Sequence, residues 1–349
     1  MLKKIRDYGF HIGNLPTGKN NSITDVPGVT VGHVTLDEYN SKTGVTAILP
    51  HGGNLFKEKV IGASHIINGF GKSTGLIQID ELGTIESPII LTNTLNVGTA
   101  HEGLVQYMLD TNEDIGISTG SVNPIICECN DGELNHIRDL HVKSHHVFDA
   151  IKNASEIFQE GNVGAGTGMI CYNLKGGIGS ASRIINLDGK EYTIGILVLS
   201  NFGHLGDLRL NGKYVGPEIS NQIKDLNIRE EQGSIITILG TDIPLSSRQL
   251  KRVIKRIYPG ISRTGSYTGN GSGEVSIGFS TANIINHYEE NDIIDIKVIN
   301  ENKIDRIFRA TVEATEEAIL NSLICSTTTI GRDNKKVYSL VDFIDKINY

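Results

Sequence analysis

Hydrophobic residues along the chain switch repeatedly between the spacing typical of strands and the spacing typical of helices. Alternating or continuous β-branched runs predict strands within 22–34, at 44–49, 88–92, 178–186, 192–199 and 274–279, and a fully buried strand directly after Ser234. Apolar residues three and four apart predict helices at about 100–109, 143–159, 246–258 and 309–325. Strands and helices do not alternate as regular βαβ units. The pattern therefore predicts mixed or antiparallel sheets covered by helices, an α+β arrangement within the α/β class.

The bulk properties limit the kind of protein this can be. No Pro-rich, Ser-rich or charged linker divides the 349 residues, so we expect a single domain covering 1–349. The formal net charge of −8 argues against nucleic acid as a partner. No apolar run reaches membrane-spanning length, and no apolar signal region follows the N-terminal lysines. We therefore expect a cytoplasmic protein with no membrane partner, whose four cysteines are reduced thiols.

The stretch around Ser234 carries the first candidate chemistry. Gly233 and Ser234 stand directly before the buried strand, and polar residues at 229–232 lead into them as a predicted exposed loop. Scission of the Gly233–Ser234 bond would leave Ser234 with a free α-amino group beside its own hydroxyl. In such a pair the amine activates the nucleophile by taking its proton. The alternative from this stretch alone is a turn that feeds a core strand, since glycine and serine are common turn residues.

Two other patterns suggest different chemistry and are weaker. A zinc site is conceivable in one region rich in cysteine and histidine, but the spacing is not a standard ligand spacing. The residues concerned are Cys127, Cys129, His136, His141, His145 and His146. Gly71-Lys72-Ser73 is similar to the end of a phosphate-binding loop, but Ile66 stands where that loop needs a glycine. We therefore expect no metal and no cofactor.

A series of motifs gives a resemblance that spans nearly the whole chain. In order along the chain, these motifs lie at 23–29, 68–75, 91–95, 130–132, 163–169, 176–179, 233–234, 271–274, 279–282 and 313–318. Through them the chain resembles the family of DmpA-type aminopeptidases and β-peptidyl aminopeptidases, peptidase family S58. The resemblance implies an αββα four-layer sandwich, like that of the N-terminal-nucleophile hydrolases but with different connectivity. It also implies a homo-oligomer, often a tetramer.

The resemblance further implies that the chain cuts itself between Gly233 and Ser234. Fragments 1–233 and 234–349 would stay together as one folded unit, and Ser234 would act as the N-terminal nucleophile. The implied enzyme is a serine aminopeptidase that releases N-terminal β-amino, D- or small L-amino acids from short peptides, amides and esters with a free amino end. The alternatives are a broad amidase or esterase, an acyltransferase using the same acyl-Ser234 intermediate, and a binding protein that never cleaves itself.

Three further residues match positions of the family's site. Ser272 and Glu274 match its second serine and its acid, and Asn201 matches its oxyanion donor. Because Ser272 and Glu274 are two residues apart at the start of a strand, their side chains would project to the same side. Each residue also has a simpler interpretation: a turn serine, an exposed acid at a strand edge, and an asparagine that ends a strand.

Glu133 is the candidate for substrate recognition. It follows a glycine turn, and by the resemblance it stands where β-aminopeptidase-like members carry an acid and other members a tyrosine. A carboxylate binds a cationic amine through a charge-assisted hydrogen bond. An acid at this position therefore favours recognition of the substrate amine and of β-amino-acid substrates. The alternative is a solvated loop glutamate.

Overall fold

The computed structural model describes residues 3–223 and 233–347, so the loop predicted at 229–232 lies outside the described residues. The strands are β1 (Thr30–Asp37), β2 (Lys42–Leu49), β3 (Glu58–Gly69), β4 (Thr84–Ile85), β5 (Ile89–Asn93), β6 (Ile125–Cys129), β7 (Ile170–Cys171), β8 (Leu174–Lys175), β9 (Gly177–Leu187), β10 (Lys190–Asn201), β11 (Arg209–Leu210), β12 (Lys213–Tyr214), β13 (Ser234–Thr241), β14 (Gly273–Asn286), β15 (Thr329–Ile330) and β16 (Lys336–Val337). The α-helices are α1 (Leu76–Leu82), α2 (Val97–Thr111), α3 (Ser144–Lys152), α4 (Gly216–Ser220), α5 (Ser247–Ile254), α6 (Ile257–Arg263), α7 (Asp305–Ile324) and α8 (Val341–Ile344). Within the described part of the chain, none of these helices combines the length and apolar character needed to cross a membrane.

Two large sheets organise the fold. Sheet 1 has the strand order β1-β2-β5-β6, and sheet 2 has the order β4-β3-β14-β13-β10-β9. Neighbouring strands are antiparallel except for two parallel pairs, β5 with β6 and β13 with β14. The prediction of mixed or antiparallel sheets is therefore confirmed. Strand β13 lies in the interior of sheet 2, and every one of its residues is buried, as its continuous apolar run predicted.

The layers of the fold follow the order helix, sheet, sheet, helix, and apolar side chains fill the three interfaces between them. The core between the two sheets includes Leu91 and Cys127 of sheet 1 and Leu199 and Ile236 of sheet 2. Helices α2 and α3 pack on the outer face of sheet 1. Helices α5 and α7 pack on the outer face of sheet 2, and α6 packs against α7. These are the αββα layers that the resemblance implied.

Two predicted helices differ from what the apolar spacing indicated, one in its length and one in its continuity. The helix predicted at 143–159 ends early because the chain then pairs with β1 through two backbone hydrogen bonds between Ser155 and Val31. The helix predicted at 246–258 is divided into α5 and α6. Pro259 lies in the first turn of α6, where a residue without an N–H is tolerated, but it could not have continued α5.

A buried ionic network ties the N-terminal segment and β9 to helix α7. The guanidinium of Arg183, which is fully buried, pairs with Glu317 at 2.7 Å and with Glu313 at 3.3 Å. Arg6 pairs with the same Glu317 at 2.6 Å. Burial raises the pKa of Glu317, but the hydrogen bond from Arg6 and the charge of Arg183 outweigh it and hold the pKa below its ordinary value. Two of the three glutamates of the 313–318 motif, Glu313 and Glu317, therefore join distant parts of the chain.

Candidate active site

Ser234 lies at the start of β13, between the neighbouring strands β10 and β14. Asn201, the last residue of β10, is its antiparallel partner, and Gly273, the first residue of β14, is its parallel partner. Ser234 is 5% exposed and shares its face of the strand with Ile236, which packs in the core between the sheets. The structure thus brings the predicted nucleophile, the predicted oxyanion donor and the 271–274 motif to the same end of sheet 2.

The peptide before Ser234 fits tightly against β10. A Cβ atom added to Gly233 would lie 2.3 Å from the Asn201 carbonyl oxygen and 2.8 Å from Phe202 Cα, so only glycine fits without movement of this backbone. The Gly233 carbonyl oxygen accepts a hydrogen bond from Gly273 N at 2.9 Å. The carbonyl of the Gly233–Ser234 bond therefore already has a backbone donor, which is the arrangement that stabilises a developing oxyanion.

The side chain of Asn201 is held by two hydrogen bonds. Its Oδ1 accepts from Ile170 N at 2.9 Å, and its Nδ2 donates to the Asn130 carbonyl oxygen at 3.0 Å. These bonds fix the amide between β7 and the loop after β6, with 9% of the residue exposed. A primary amide has two N–H donors. One N–H of Nδ2 is therefore free of these two bonds and can serve a bound oxyanion.

Ser272 and Glu274 flank Gly273, the backbone partner of Ser234, and both are fully buried. Glu274 pairs with Ile235, whose side chain packs in the core between sheet 2 and the helices. By strand alternation Glu274 therefore projects from the face of sheet 2 opposite to Ser234. Ser272 precedes β14 and is not bound by this alternation. A proton relay from Ser234 to Glu274 would have to pass around the ends of these two strands, where Ser272 lies.

Asn68, from another family motif, supports the turn before Ser272. Its Nδ2 donates to the carbonyl oxygens of Gly269 and Asn270 at 3.2 and 3.3 Å, and also to that of Ser272. A Cβ atom added to Gly273 would lie 2.4 Å from the Phe70 carbonyl oxygen. The 68–75 motif thus packs against the backbone of the 269–273 segment and hydrogen-bonds to it. This contact gives the glycine-rich 68–75 segment a structural role that involves no phosphate.

Glu133 lies three residues beyond Asn130, in the loop that reaches Asn201. Its side chain is 42% exposed and forms an ion pair with Lys335. The turn is closed by hydrogen bonds from the backbone N atoms of Leu134 and Asn135 to the Asp131 carbonyl oxygen. Glu133 is therefore neither simply solvated nor an empty cation site, because an ammonium group of the chain itself already contacts its carboxylate.

The cysteines and histidines of the conceivable zinc site do not converge. Cys127 and Cys129 lie in the buried strand β6 and face the core between the sheets. Burial raises the pKa of Cys127 to about 12 and that of Cys129 well above its ordinary value, so both are neutral thiols. Over residues 3–223 and 233–347, no group of three or more His, Cys, Asp or Glu side chains could hold a metal ion.

Sequence reasoning missed two residues next to the predicted site. Cys129 is one, since it was considered above only as a zinc ligand: its thiol lies beside the Ser234 side chain and donates to the Leu199 carbonyl oxygen at 3.5 Å. Lys175 is the other: it is fully buried, and burial lowers its pKa to about 7. The only feature of the sequence that singles out Lys175 is its position between two glycine-rich motifs, 163–169 and 176–179. No local pattern could show that its partners are carbonyl oxygens of the neighbouring loop.

The chain matches a known peptidase family over most of its length. The profile of peptidase family S58 matches residues 21–337. The β-peptidyl aminopeptidase BapA of Sphingosinicella microcystinivorans is 37% identical over 350 residues, which cover 94% of this chain and 87% of that protein. The chain is thus similar, over most of its length, to an aminopeptidase.

Two solved structures are similar to the whole chain. The PH0078 protein from Pyrococcus horikoshii OT3 superposes with a TM-score of 0.93 at 53% identity, over 98% of each chain. The L-aminopeptidase D-Ala-esterase/amidase from Ochrobactrum anthropi has a TM-score of 0.89 at 35% identity, over 97% of this chain and 95% of that one. The latter is described as a prototype for the serine aminopeptidases and a new variant of the Ntn hydrolase fold. From the profile match and these relatives, the chain belongs to peptidase family S58.

Proposed function

We propose that the protein is a self-processing aminopeptidase that cuts itself between Gly233 and Ser234 and then uses Ser234 as its N-terminal nucleophile. The observation that carries this proposal is the setting of the bond. Its carbonyl oxygen accepts a hydrogen bond from Gly273 N, and the buried hydroxyl of Ser234 follows directly. Within the described residues, Ser234 Oγ has no hydrogen-bond partner that meets ordinary geometry. A buried hydroxyl left without such a bond costs free energy, and a catalytic role is one explanation for keeping such a group in a native structure.

Self-cleavage begins with attack of Ser234 Oγ on the Gly233 carbonyl carbon. The N–H of Gly273, which already binds that carbonyl oxygen, stabilises the negative charge that develops there. The C–N bond then breaks, the nitrogen of Ser234 takes the hydroxyl proton, and the acyl group remains on Oγ as an ester. Water hydrolyses the ester, which releases the Gly233 carboxylate and restores the hydroxyl.

The fragments 1–233 and 234–349 remain one folded unit after scission. Strand β13, from the second fragment, keeps its pairing with β10, from the first. The buried ion pairs of Arg183 with Glu313 and Glu317 also join the two fragments. Removing one partner of a buried pair costs about 3–5 kcal/mol, so these contacts oppose separation.

In turnover, the free α-amino group of Ser234 takes the hydroxyl proton as Oγ attacks the substrate carbonyl. Such an amine has an ordinary pKa of about 7.7–8.0, suited to proton transfer near neutral pH. Asn201 Nδ2 donates to the oxyanion. Ser272 and Glu274 take part as a relay around the strand ends, and water completes the hydrolysis of the acyl-enzyme.

The substrate is a short peptide, amide or ester with a free amino end, and Glu133 binds its ammonium group. The contact of Glu133 with Lys335 supports this role, because the carboxylate already pairs with an alkylammonium group of the chain. The substrate amine then replaces or shares that partner. The acid at 133 and the similarity to a β-peptidyl aminopeptidase both favour β-amino-acid substrates.

We also propose that the protein is a homo-oligomer, a tetramer in the form that the resemblance implies, and that it acts in the cytoplasm. Exposed apolar side chains on α1, Ile77 at 89% and Leu82 at 62%, support a partner surface for another copy. The four buried cysteines form no disulfide among the described residues, which fits a reducing compartment. Light scattering on the purified enzyme should give a mass near four copies of the 37.9 kDa chain.

Release of p-nitroaniline tests the proposed reaction. The parent should cleave H-β-Ala p-nitroanilide faster than the L-Ala and D-Ala compounds, and the N-acetylated compound should be a poor substrate. Ser234→Ala should be inactive on all of them. Equal cleavage of free and N-acetylated substrates would contradict an aminopeptidase and favour a broad amidase. Product analysis with an added amine acceptor separates hydrolysis from acyl transfer.

A further inference from the structure

Lys175 lies on a tight hairpin beside the proposed oxyanion donor. Strands β7 and β8 are joined by Tyr172 and Asn173, both with positive φ, 52° and 56°. Two residues in this conformation form the kind of two-residue turn that matches the twist of a hairpin. The turn sets Lys175 directly across from Ile170. Its side chain is therefore held next to the backbone segment that contacts Asn201.

The ammonium group of Lys175 is fully used by backbone oxygens. Its Nζ donates to the carbonyls of Gly176 at 2.7 Å, Met169 at 2.8 Å and Gly166 at 3.1 Å. Three acceptors match the three N–H donors of a protonated lysine, whereas a neutral amine has only two. A cation in a fully buried position is costly to maintain. The lysine satisfies three buried carbonyl oxygens, which an apolar residue could not do.

One peptide unit connects Lys175 to Asn201. The Met169 carbonyl accepts from Lys175 Nζ, and the N–H of the same peptide, on Ile170, donates to Asn201 Oδ1 at 2.9 Å. A positive charge at the oxygen of a peptide makes its N–H a stronger donor. That N–H in turn polarises the Asn201 amide, so that its Nδ2–H becomes a stronger donor as well, since hydrogen bonds in a chain strengthen one another.

We propose that Lys175 is a positioning residue for the reaction at Ser234, acting through the Met169–Ile170 peptide on the amide of Asn201. The inference rests on the proposed function, in which Asn201 stabilises the oxyanion. Lys175 both fixes the orientation of Asn201 and increases the polarity of its free N–H. It does not touch the substrate itself.

A double-mutant cycle tests this role. Lys175→Met should lower kcat on H-β-Ala p-nitroanilide about tenfold with KM unchanged. This loss is smaller than the 10²–10³ expected for the missing donor, because Asn201 remains. In the Asn201→Ala background, Lys175→Met should change kcat by less than about twofold, since the two residues act as one unit. All values are normalised to the processed fraction seen on a denaturing gel.

A control comes from another lysine that donates to backbone carbonyls. Lys4 Nζ contacts the carbonyl oxygens of Asn21 at 2.6 Å, Asn20 at 3.3 Å and Ser180 at 3.4 Å, and it also pairs with Glu160 at 2.6 Å. None of these partners is a partner of Asn201. Lys4→Met should reduce thermal stability without lowering kcat. Lys175→Met losses that multiply with those of Asn201→Ala would overturn the inference and leave a purely structural lysine. Full activity of Asn201→Ala would instead contradict the proposed function, so the two failures are distinguishable.

A second measurement covers the case in which Lys175→Met does not fold. Met169–Ile170 is the one Met-Ile pair in the sequence. Labelling methionine with ¹³C at the carbonyl and isoleucine with ¹⁵N therefore gives a directly bonded ¹³C–¹⁵N pair at that peptide alone. The Ile170 amide proton should move upfield by several tenths of a ppm in Asn201→Ala, and the carbonyl carbon should move in Lys175→Gln. Should neither lysine variant fold, the Asn201→Ala spectrum decides: an unmoved Ile170 signal shows that the relay is absent in solution and overturns the proposal.

Discussion

Replacing Asn201 with alanine is expected to separate the chemical role of this side chain from its structural role. Its amide bridges Ile170 N and the Asn130 carbonyl oxygen, at 2.9 and 3.0 Å. Loss of the remaining N–H donor should lower kcat by about 10²–10³, which corresponds to roughly 2.7–4 kcal/mol of transition-state stabilisation. KM should change little, because the donor acts mainly on the developing charge.

The same substitution should also destabilise the fold, more than its place at the end of a strand suggests. Two hydrogen bonds are lost, each worth about 1 kcal/mol net, and the Ile170 N–H is left without its acceptor. We expect a loss of about 2–3 kcal/mol in the free energy of unfolding, measured by chemical denaturation of the purified enzyme. Activity must therefore be compared under conditions in which both proteins are fully folded.

Asn321 provides a matched control for this experiment. It is fully buried, its Oδ1 accepts from Ile5 N at 3.0 Å, and its Nδ2 donates to the Ser180 carbonyl oxygen at 2.8 Å. Asn321→Ala should therefore lose similar stability and keep its kcat. The assignment of Asn201 is refuted if Asn201→Ala stays within about threefold of the parent in kcat, or if Asn321→Ala loses as much.

Three further predictions concern the buried ionic network around Glu317, the processing site and the substrate amine. Glu317→Ala should lower the free energy of unfolding by about 3–5 kcal/mol, and a loss under about 1 kcal/mol would argue against a stabilising role for its ion pairs. In the parent, this contribution should be complete above pH ~4.3 and should be lost as the pH falls through the lowered pKa of Glu317 in the folded state; denaturation curves at several pH values measure both effects. Gly233→Ala should slow or abolish processing on denaturing gels, because its Cβ would lie 2.3 Å from the Asn201 carbonyl oxygen, and normal processing would contradict the tight fit. Glu133→Gln should lower kcat/KM on H-β-Ala p-nitroanilide by the equivalent of about 1.5–3 kcal/mol, whereas Lys335→Met should lower KM by removing the competing ammonium group. If Glu133→Gln has the same kcat/KM as the parent, Glu133 does not bind the substrate amine and the preference for β-amino acids is undecided.

Local patterns were sufficient for much of the fold. The continuous apolar run after Ser234 predicted the buried strand β13, because a short run rich in β-branched residues is typical of a strand covered on both faces. The end of the 143–159 helix could not be predicted, since it depends on pairing of Ser155 with β1, more than 120 positions away in the chain. Strand β3 was missed because polar residues interrupt its apolar pattern.

The candidate site shows the same division. The family resemblance pointed to Ser234, Asn201 and Ser272, but their relation depends on strand register, which brings Asn201 and Gly273 to either side of Ser234. Register between distant strands is set by the whole sheet and is not written in any one segment. The partner of Glu133 and the buried place of Lys175 likewise come from tertiary contacts that residue spacing does not contain.

The central claim is that the chain cuts itself before Ser234, and mass spectrometry of the purified protein under denaturing conditions tests it most directly. The parent should give two fragments of about 25 and 13 kDa, in proportion to residues 1–233 and 234–349, and the smaller should begin Ser-Ile-Ile-Thr-Ile. Ser234→Ala, purified in the same way, should give one chain of full mass. An active parent that remains a single intact chain, or a Ser234→Ala protein cut at the same bond, would contradict the account.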